Sequence, residues 1–239
     1  MPEMKLCFVP HAGGSALGYT NFKKYLDPSI KPVPIELAGR GKRLSEECFV
    51  DIHKCTEDLF EKNKEIFEEG NYAFFGHSLG TIVSYELAKL IRKNNYPEPV
   101  HMFFSGRCAP HSKVSSMVSG TSKLNDKDFL KAFSVYGAIP DIVMNNPEIM
   151  NMILPIMRSD VTMADAYVEN TRQPQLKCDI TVLYGRNDMI YAGQDINIWE
   201  ECTSGKCTAY GFKGDHFYYN TPENKEKLCD IINKTLLNR

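Results

Sequence analysis

Residues 76–80 read GHSLG, a serine held between two glycines, with the apolar run YAFF before it and a run of helical spacing after it. A serine hydroxyl attacks an electrophilic carbon only when a base takes its proton and when the side chain stands clear of the backbone. A sharp strand-to-helix turn gives that projection, and it brings the residues two before and two after the serine into close contact, where only small side chains fit. Gly76 and Gly80 meet that demand, which makes Ser78 a candidate nucleophile. The same turn aims the first backbone N–H groups of the following helix at the reacting centre. The Leu79 N–H is therefore a candidate oxyanion donor, favoured by the helix dipole. A second donor is expected from the loop after the first strand, PHAGGSA at residues 10–16, with the N–H of Ala12 as first choice and Gly13 close behind.

In a site of this design the acid and then the base follow the serine along the chain. Of the six histidines, His77 adjoins Ser78 and points elsewhere from the turn, His53 lies in a helical stretch and His101 in a strand. His216, in the loop GDHFYY after the last apolar run CTAYGF, has the required position. The carboxylate that orients its imidazole belongs on a loop at a strand end, and Asp188 in TVLYGRND is placed there. Asp215 and Asp160 are its rivals. The first is adjacent to His216, where neighbouring side chains rarely form the needed bond, and the second sits in a segment expected to be mobile. The preceding strand ends SGRCAP, without a carboxylate, which strengthens Asp188.

These loops need a frame that gathers them at one edge. Six short apolar runs, KLCFVP, KPVPIEL, YAFFGHS, VHMFFSG, DITVLYG and CTAYGF, alternate with segments mostly long enough to cross over a sheet. That alternation predicts an α/β fold with a mostly parallel central sheet flanked by helices, in one domain spanning residues 1–239. A long amphipathic helix is expected over Ser45–Glu69, opening on a serine cap and a glutamate-rich first turn. Helices are also expected after Ser78 and at the C-terminus. Residues 122–172 break the alternation, and we read them as an inserted helical lid of short helices interrupted by prolines. Its apolar side chains, Phe129, Phe133, Ile149, Met152, Ile153 and Met157, are expected to form a soft, re-packable lining under a mobile cover.

The charge is balanced, 28 Lys plus Arg against 30 Asp plus Glu, and no basic stripe points to nucleic acid. The apolar stretch Leu6 to Val9 is too short for a signal segment, so a cytoplasmic protein without a membrane span is expected. Eight scattered cysteines lack any CxxC pair, and no histidine pair has metal-finger spacing; reduced thiols and no metal are expected.

FVPHAGGSA, ELAGRGKR, GHSLG, SGRCAPH, LPIMRSD, YGRND and GDHF, taken in this order, resemble a type II thioesterase, the stand-alone editing enzyme of nonribosomal peptide and polyketide synthases. The resemblance extends over essentially the whole chain. It implies an α/β-hydrolase fold with a helical lid and a Ser78, Asp188, His216 triad. It further implies hydrolysis of acyl thioesters carried on the 4'-phosphopantetheine of acyl- or peptidyl-carrier proteins. No cofactor of its own is implied, and nothing demands more than a monomer. Two other readings stay open: a chain-terminating medium-chain thioesterase of fatty acid synthesis, and a non-catalytic binding protein on the hydrolase fold. A lipase or carboxylesterase is less favoured, because no signal peptide or strongly apolar surface helix is present.

Overall fold

The computed structural model describes residues 3–112, 120–134, 139, 145–169, 171, 173–190 and 195–238. All six expected strands form: β1 (Met4–Val9), β2 (Ile30–Pro34), β3 (Tyr72–His77), β4 (His101–Ser105), β5 (Asp179–Gly185) and β6 (Cys207–Phe212). They make one parallel sheet in the order β2-β1-β3-β4-β5-β6. Successive side chains of a strand point to opposite faces, and here each face has its own core. Cys7, Val9, Tyr72, Phe74, Met102, Phe104, Ile180 and Val182 pack on one side with helices α1 (Ile52–Glu69) and α2 (Leu79–Lys93). Leu6, Phe8, Ala73, Phe75, Phe103 and Leu183 pack on the other with the short helix Ala16–Lys24 and the C-terminal helix, Pro222–Leu237. Burial on both faces explains why the strands read as unbroken apolar runs.

Two expectations about helices need correction. Helix α1 begins at Ile52, not Ser45, and its cap is Asp51, whose carboxylate accepts from the N–H groups of His53 (3.0 Å) and Lys54 (2.9 Å). The residues before it are drawn into other bonds. Arg43 pairs with Glu46 and with Asp58, and the Phe49 carbonyl accepts from Ser159, so the chain from 43 to 49 is held as a loop. In the insertion, α3 (Asp126–Ser134) is short, but the next helix, α4 (Pro147–Ala166), runs 20 residues straight through Pro155. A proline inside a helix forfeits one backbone bond and crowds the preceding turn. The C-terminal half of α4 is anchored strongly enough to outweigh that. Arg158 donates to the carbonyls of Ser122 and Leu124 and pairs with Asp126, Ser159 donates to Phe49, and Asp160 pairs with Arg40. The C-terminal helix is α5 (Pro222–Leu237).

Phe129, Phe133 and Met157 form a small closed core of the insertion with Ile139 and Val161, against which Ile149, Ile153 and Ala12 pack. Met152, expected in the lining, faces solvent at 59% exposure. Part of the 122–172 segment lies outside the described residues, namely 135–138, 140–144, 170 and 172.

Candidate active site

Parallel strands carry their carboxyl ends to one edge, and Ala12, Ser78, Leu79, Asp188 and His216 all follow such ends, those of β1, β3, β5 and β6. Gly76 pairs with Val9 across β3 and β1, and His77 with Ser105 across β3 and β4, so the ends of three central strands meet beside Ser78. Ser78 has φ 55° and ψ −114°, and α2 starts at the next residue. A non-glycine residue at positive φ stores roughly 1–3 kcal/mol and persists only where its surroundings hold it. They do so here. Ser78 N–H donates to the Ser105 carbonyl at 2.8 Å, and Thr81 Oγ1 donates to the carbonyls of Gly76 (2.9 Å) and Ser105 (3.1 Å). Thr81, which sequence reasoning passed over, thus ties the turn to two strands. A Cβ on Gly76 would run into the Gly80 carbonyl, and one on Gly80 into the carbonyl of Val9. The glycine requirement is therefore steric on both sides of the serine. Leu79, the first residue of α2, has a backbone N–H among those with no acceptor inside the helix.

His216 and Asp188 come together as expected. His216 Nδ1 lies 2.8 Å from Asp188 Oδ2, and the other carboxylate oxygen accepts from the Ile190 N–H at 2.9 Å. Both side chains are buried, at 4% and 2% exposure. An ionised carboxylate only accepts, so Nδ1 carries the proton and Nε2 keeps its lone pair. The two loops are bound to each other as well, Asn187 N–H donating to the Gly214 carbonyl at 2.9 Å. No hydrogen bond joins Ser78 Oγ to His216 among the described residues. The rival acids are engaged elsewhere, Asp215 accepting from the Phe217 N–H and Asp160 pairing with Arg40.

Two further histidines flank this pair, His77 buried and His11 half-buried. The ring of His77 lies 4.7 Å from that of His216 and 6.0 Å from that of His11. His77 Nδ1 shares a hydrogen bond of 2.9 Å with Ser105 Oγ, which in turn bonds Tyr218 Oη at 2.7 Å. That chain links the elbow strand, β4 and the histidine loop, and no local sequence signal announced it. Burial, and then the neighbouring imidazoles, hold His77 well below its ordinary pKa. Burial, with His216 and Arg40 nearby, lowers His11 to about 3. Both rings are neutral at neutral pH.

The loop after β1 closes the site. Gly14 N–H donates to the His11 carbonyl at 3.0 Å, and Gly13 has φ +75°. Ala12 is absent from the positive-φ residues, so the turn is of type II, with glycine at the position that demands it. The Gly13 N–H is consumed by Asp160 Oδ2 at 2.7 Å, so Gly13, the second choice for an oxyanion donor, already has an acceptor. Among the described residues no group of three or more His, Cys, Asp or Glu is placed to hold a metal ion, and no helix is long and apolar enough to cross a membrane.

A thioesterase-domain family model matches residues 4–236. The medium-chain S-acyl fatty acid synthase thioesterase of Rattus norvegicus is 29% identical over 233 residues, which is 97% of this chain and 88% of that protein. Among solved structures, ClbQ from the colibactin NRPS/PKS pathway superposes with a TM-score of 0.89 at 28% identity, covering 99% of this chain and 98% of its own. BorB, a type II thioesterase from the borrelidin biosynthetic cluster, gives 0.84 at 28% identity, over 99% and 94% of the two chains.

Proposed function

We propose, because this chain belongs to the thioesterase family, that its thioester substrates are acyl groups on the 4'-phosphopantetheine arm of carrier proteins in a nonribosomal peptide or polyketide synthase. In this reading it is the editing enzyme, a cytoplasmic monomer that removes misprimed or stalled acyl groups and needs no cofactor. The observation that carries the chemistry is the buried His216–Asp188 bond of 2.8 Å at the sheet edge that holds the Ser78 turn. Similarity to ClbQ and BorB supports the biosynthetic setting.

Ser78 is the nucleophile. His216 Nε2 takes its proton, the alkoxide attacks the thioester carbon, and the N–H groups of Leu79 and Ala12 hold the resulting oxyanion. Asp188 keeps the tautomer that leaves Nε2 free and stabilises the imidazolium once formed. Collapse of the tetrahedral intermediate expels the pantetheine thiolate, a good leaving group that takes the proton held on His216 and departs as the thiol, restoring Nε2 as a base. Water, deprotonated by the same histidine, then attacks the Ser78 ester and frees the acid.

The similarity to the rat enzyme favours one second reading, chain termination on medium-chain acyl groups in fatty acid synthesis. Carrier proteins loaded with acetyl and with longer acyl groups, treated with wild type and with Ser78→Ala, separate the two. Editing predicts release across short and long chains, lost in Ser78→Ala. Release confined to medium chains selects the second reading, and no release from any loaded carrier removes both.

A further inference from the structure

The loop that offers Ala12 is not held by its own strand alone. The carboxylate of Asp160, on α4 of the insertion, accepts the Gly13 N–H at 2.7 Å and is gripped by both arms of Arg40, Nη1 to Oδ2 at 2.5 Å and Nη2 to Oδ1 at 2.7 Å. Arg40 Nη1 also donates to the Gly14 carbonyl at 3.2 Å. Asp160 and Arg40 are 1% and 4% exposed, so neither bond competes with water. On the same helix, Met157 packs where a side chain on Gly13 would have to go.

In the type II turn from His11 to Gly14, the central peptide is flipped relative to the commoner type I, and its N–H is that of Gly13. Asp160 bonds that N–H directly. The turn-closing bond from Gly14 N–H to the His11 carbonyl fixes the peptide joining His11 to Ala12. That peptide's N–H is the Ala12 donor, pointing away from the carbonyl so held. Asp160 at the Gly13 N–H and Arg40 at the Gly14 carbonyl thus anchor, from outside the loop, the turn whose first peptide carries the Ala12 N–H.

We infer that Asp160, paired with Arg40, is a positioning residue for the oxyanion hole: it anchors the His11–Gly14 turn that carries the Ala12 N–H. The inference rests on the proposed serine mechanism. A lone carboxylate so close to a developing oxyanion would oppose it. Arg40 removes that objection by neutralising Asp160 with two charge-assisted bonds, at a site where the pair's dipole stays fixed.

The test compares two probes on active-site-titrated enzyme. An acyl trifluoromethyl ketone adds Ser78 and places an oxyanion in the hole; the matching thioether fills the same channel and forms none. Asp160→Asn, Arg40→Lys and the neutral pair Arg40→Gln with Asp160→Asn are the variants, the last leaving no buried charge unbalanced. Removing an oxyanion donor outright costs about 10²–10³ in kcat, so misaiming one is expected to lower kcat and weaken the ketone by roughly 10- to 100-fold. KM and thioether affinity stay as in wild type. Ser159→Ala, which frees α4 from Phe49 without touching the turn, leaves the ketone-to-thioether ratio unchanged. Equal losses on both probes, wild-type ratios in all three variants, or an equal shift in Ser159→Ala would overturn the inference. The probes need no carrier, so a failure here is distinct from finding no hydrolysis of carrier-bound thioesters.

Discussion

Asp188 has two oxygens in use, one on His216 and one on the Ile190 N–H, and replacement by asparagine splits these duties. An amide that keeps its oxygen on Ile190 turns its NH2 toward His216, so Nδ1 must then accept and the proton moves to Nε2. The base thereby becomes a donor toward Ser78. Asp188→Asn is expected to lower kcat by roughly 10³- to 10⁴-fold while the near-isosteric side chain leaves the fold in place. Steady-state kinetics beside a thermal melt checks this, and a loss below tenfold would assign the orienting role to another acid. Ser78, Asp188 and His216 were legible because each sits just past an apolar β-run, where chain order and loop position narrow the choice. Asp160 was read only as a rival acid. Its partner Arg40 is 120 residues away, and nothing local in GRG or RSD shows that the two meet.

Element boundaries show where local signals compete. SEECF from Ser45 has serine followed by glutamates, a fair helix opening, and Asp51 a few residues later offers an equally good one. Tertiary bonds decide between them, because Arg43 recruits Glu46 and Asp58 and so keeps the stretch before Asp51 off the helical path. Asp51→Ala should therefore cost about 1 kcal/mol, a melting shift of about 2–4 °C, and Ser45→Ala less than about 0.5 kcal/mol. Differential scanning calorimetry on the two variants reads it directly, and the reverse ranking would put the helix start back at Ser45. Strands fared better than helices for a physical reason. A parallel strand buried on both faces is written as a continuous apolar run, whereas Pro155 reads as a stop yet lies inside α4, whose anchors are spread over three distant segments.

At the scale of the molecule, the convergence of strand ends puts three imidazoles in one cluster, two of them buried and His11 half-buried, and that has a consequence for stability. In the unfolded chain His11 and His77 take up protons near their ordinary pKa of 6.5, but in the fold burial and the adjacent imidazoles keep His77 neutral far below that, and His11 down to about 3. Both folded values are depressed, and for a base this means that the unfolded chain binds more protons at every pH between the two values. Stability therefore rises with pH across this window and is lost as pH falls below 6.5. Each such group contributes a slope of about 1.4 kcal/mol per pH unit while it stays neutral in the fold. Burial comes first for both; after it, His216 and Arg40 lower His11, and His216 and His11 lower His77. Urea titrations between about pH 6.5 and about pH 5, above the range where ordinary carboxylates protonate, should show the unfolding free energy falling with pH. His77→Gln, whose amide can keep the bond to Ser105, removes one of the two groups and should reduce that slope by about half. An unchanged slope would mean that His77 is protonated in the native protein, and its ring would then put a second positive charge beside His216. With His77 neutral, the charge that the proposed mechanism puts on His216 has Asp188 as its counter-ion and no like charge within the cluster to oppose it.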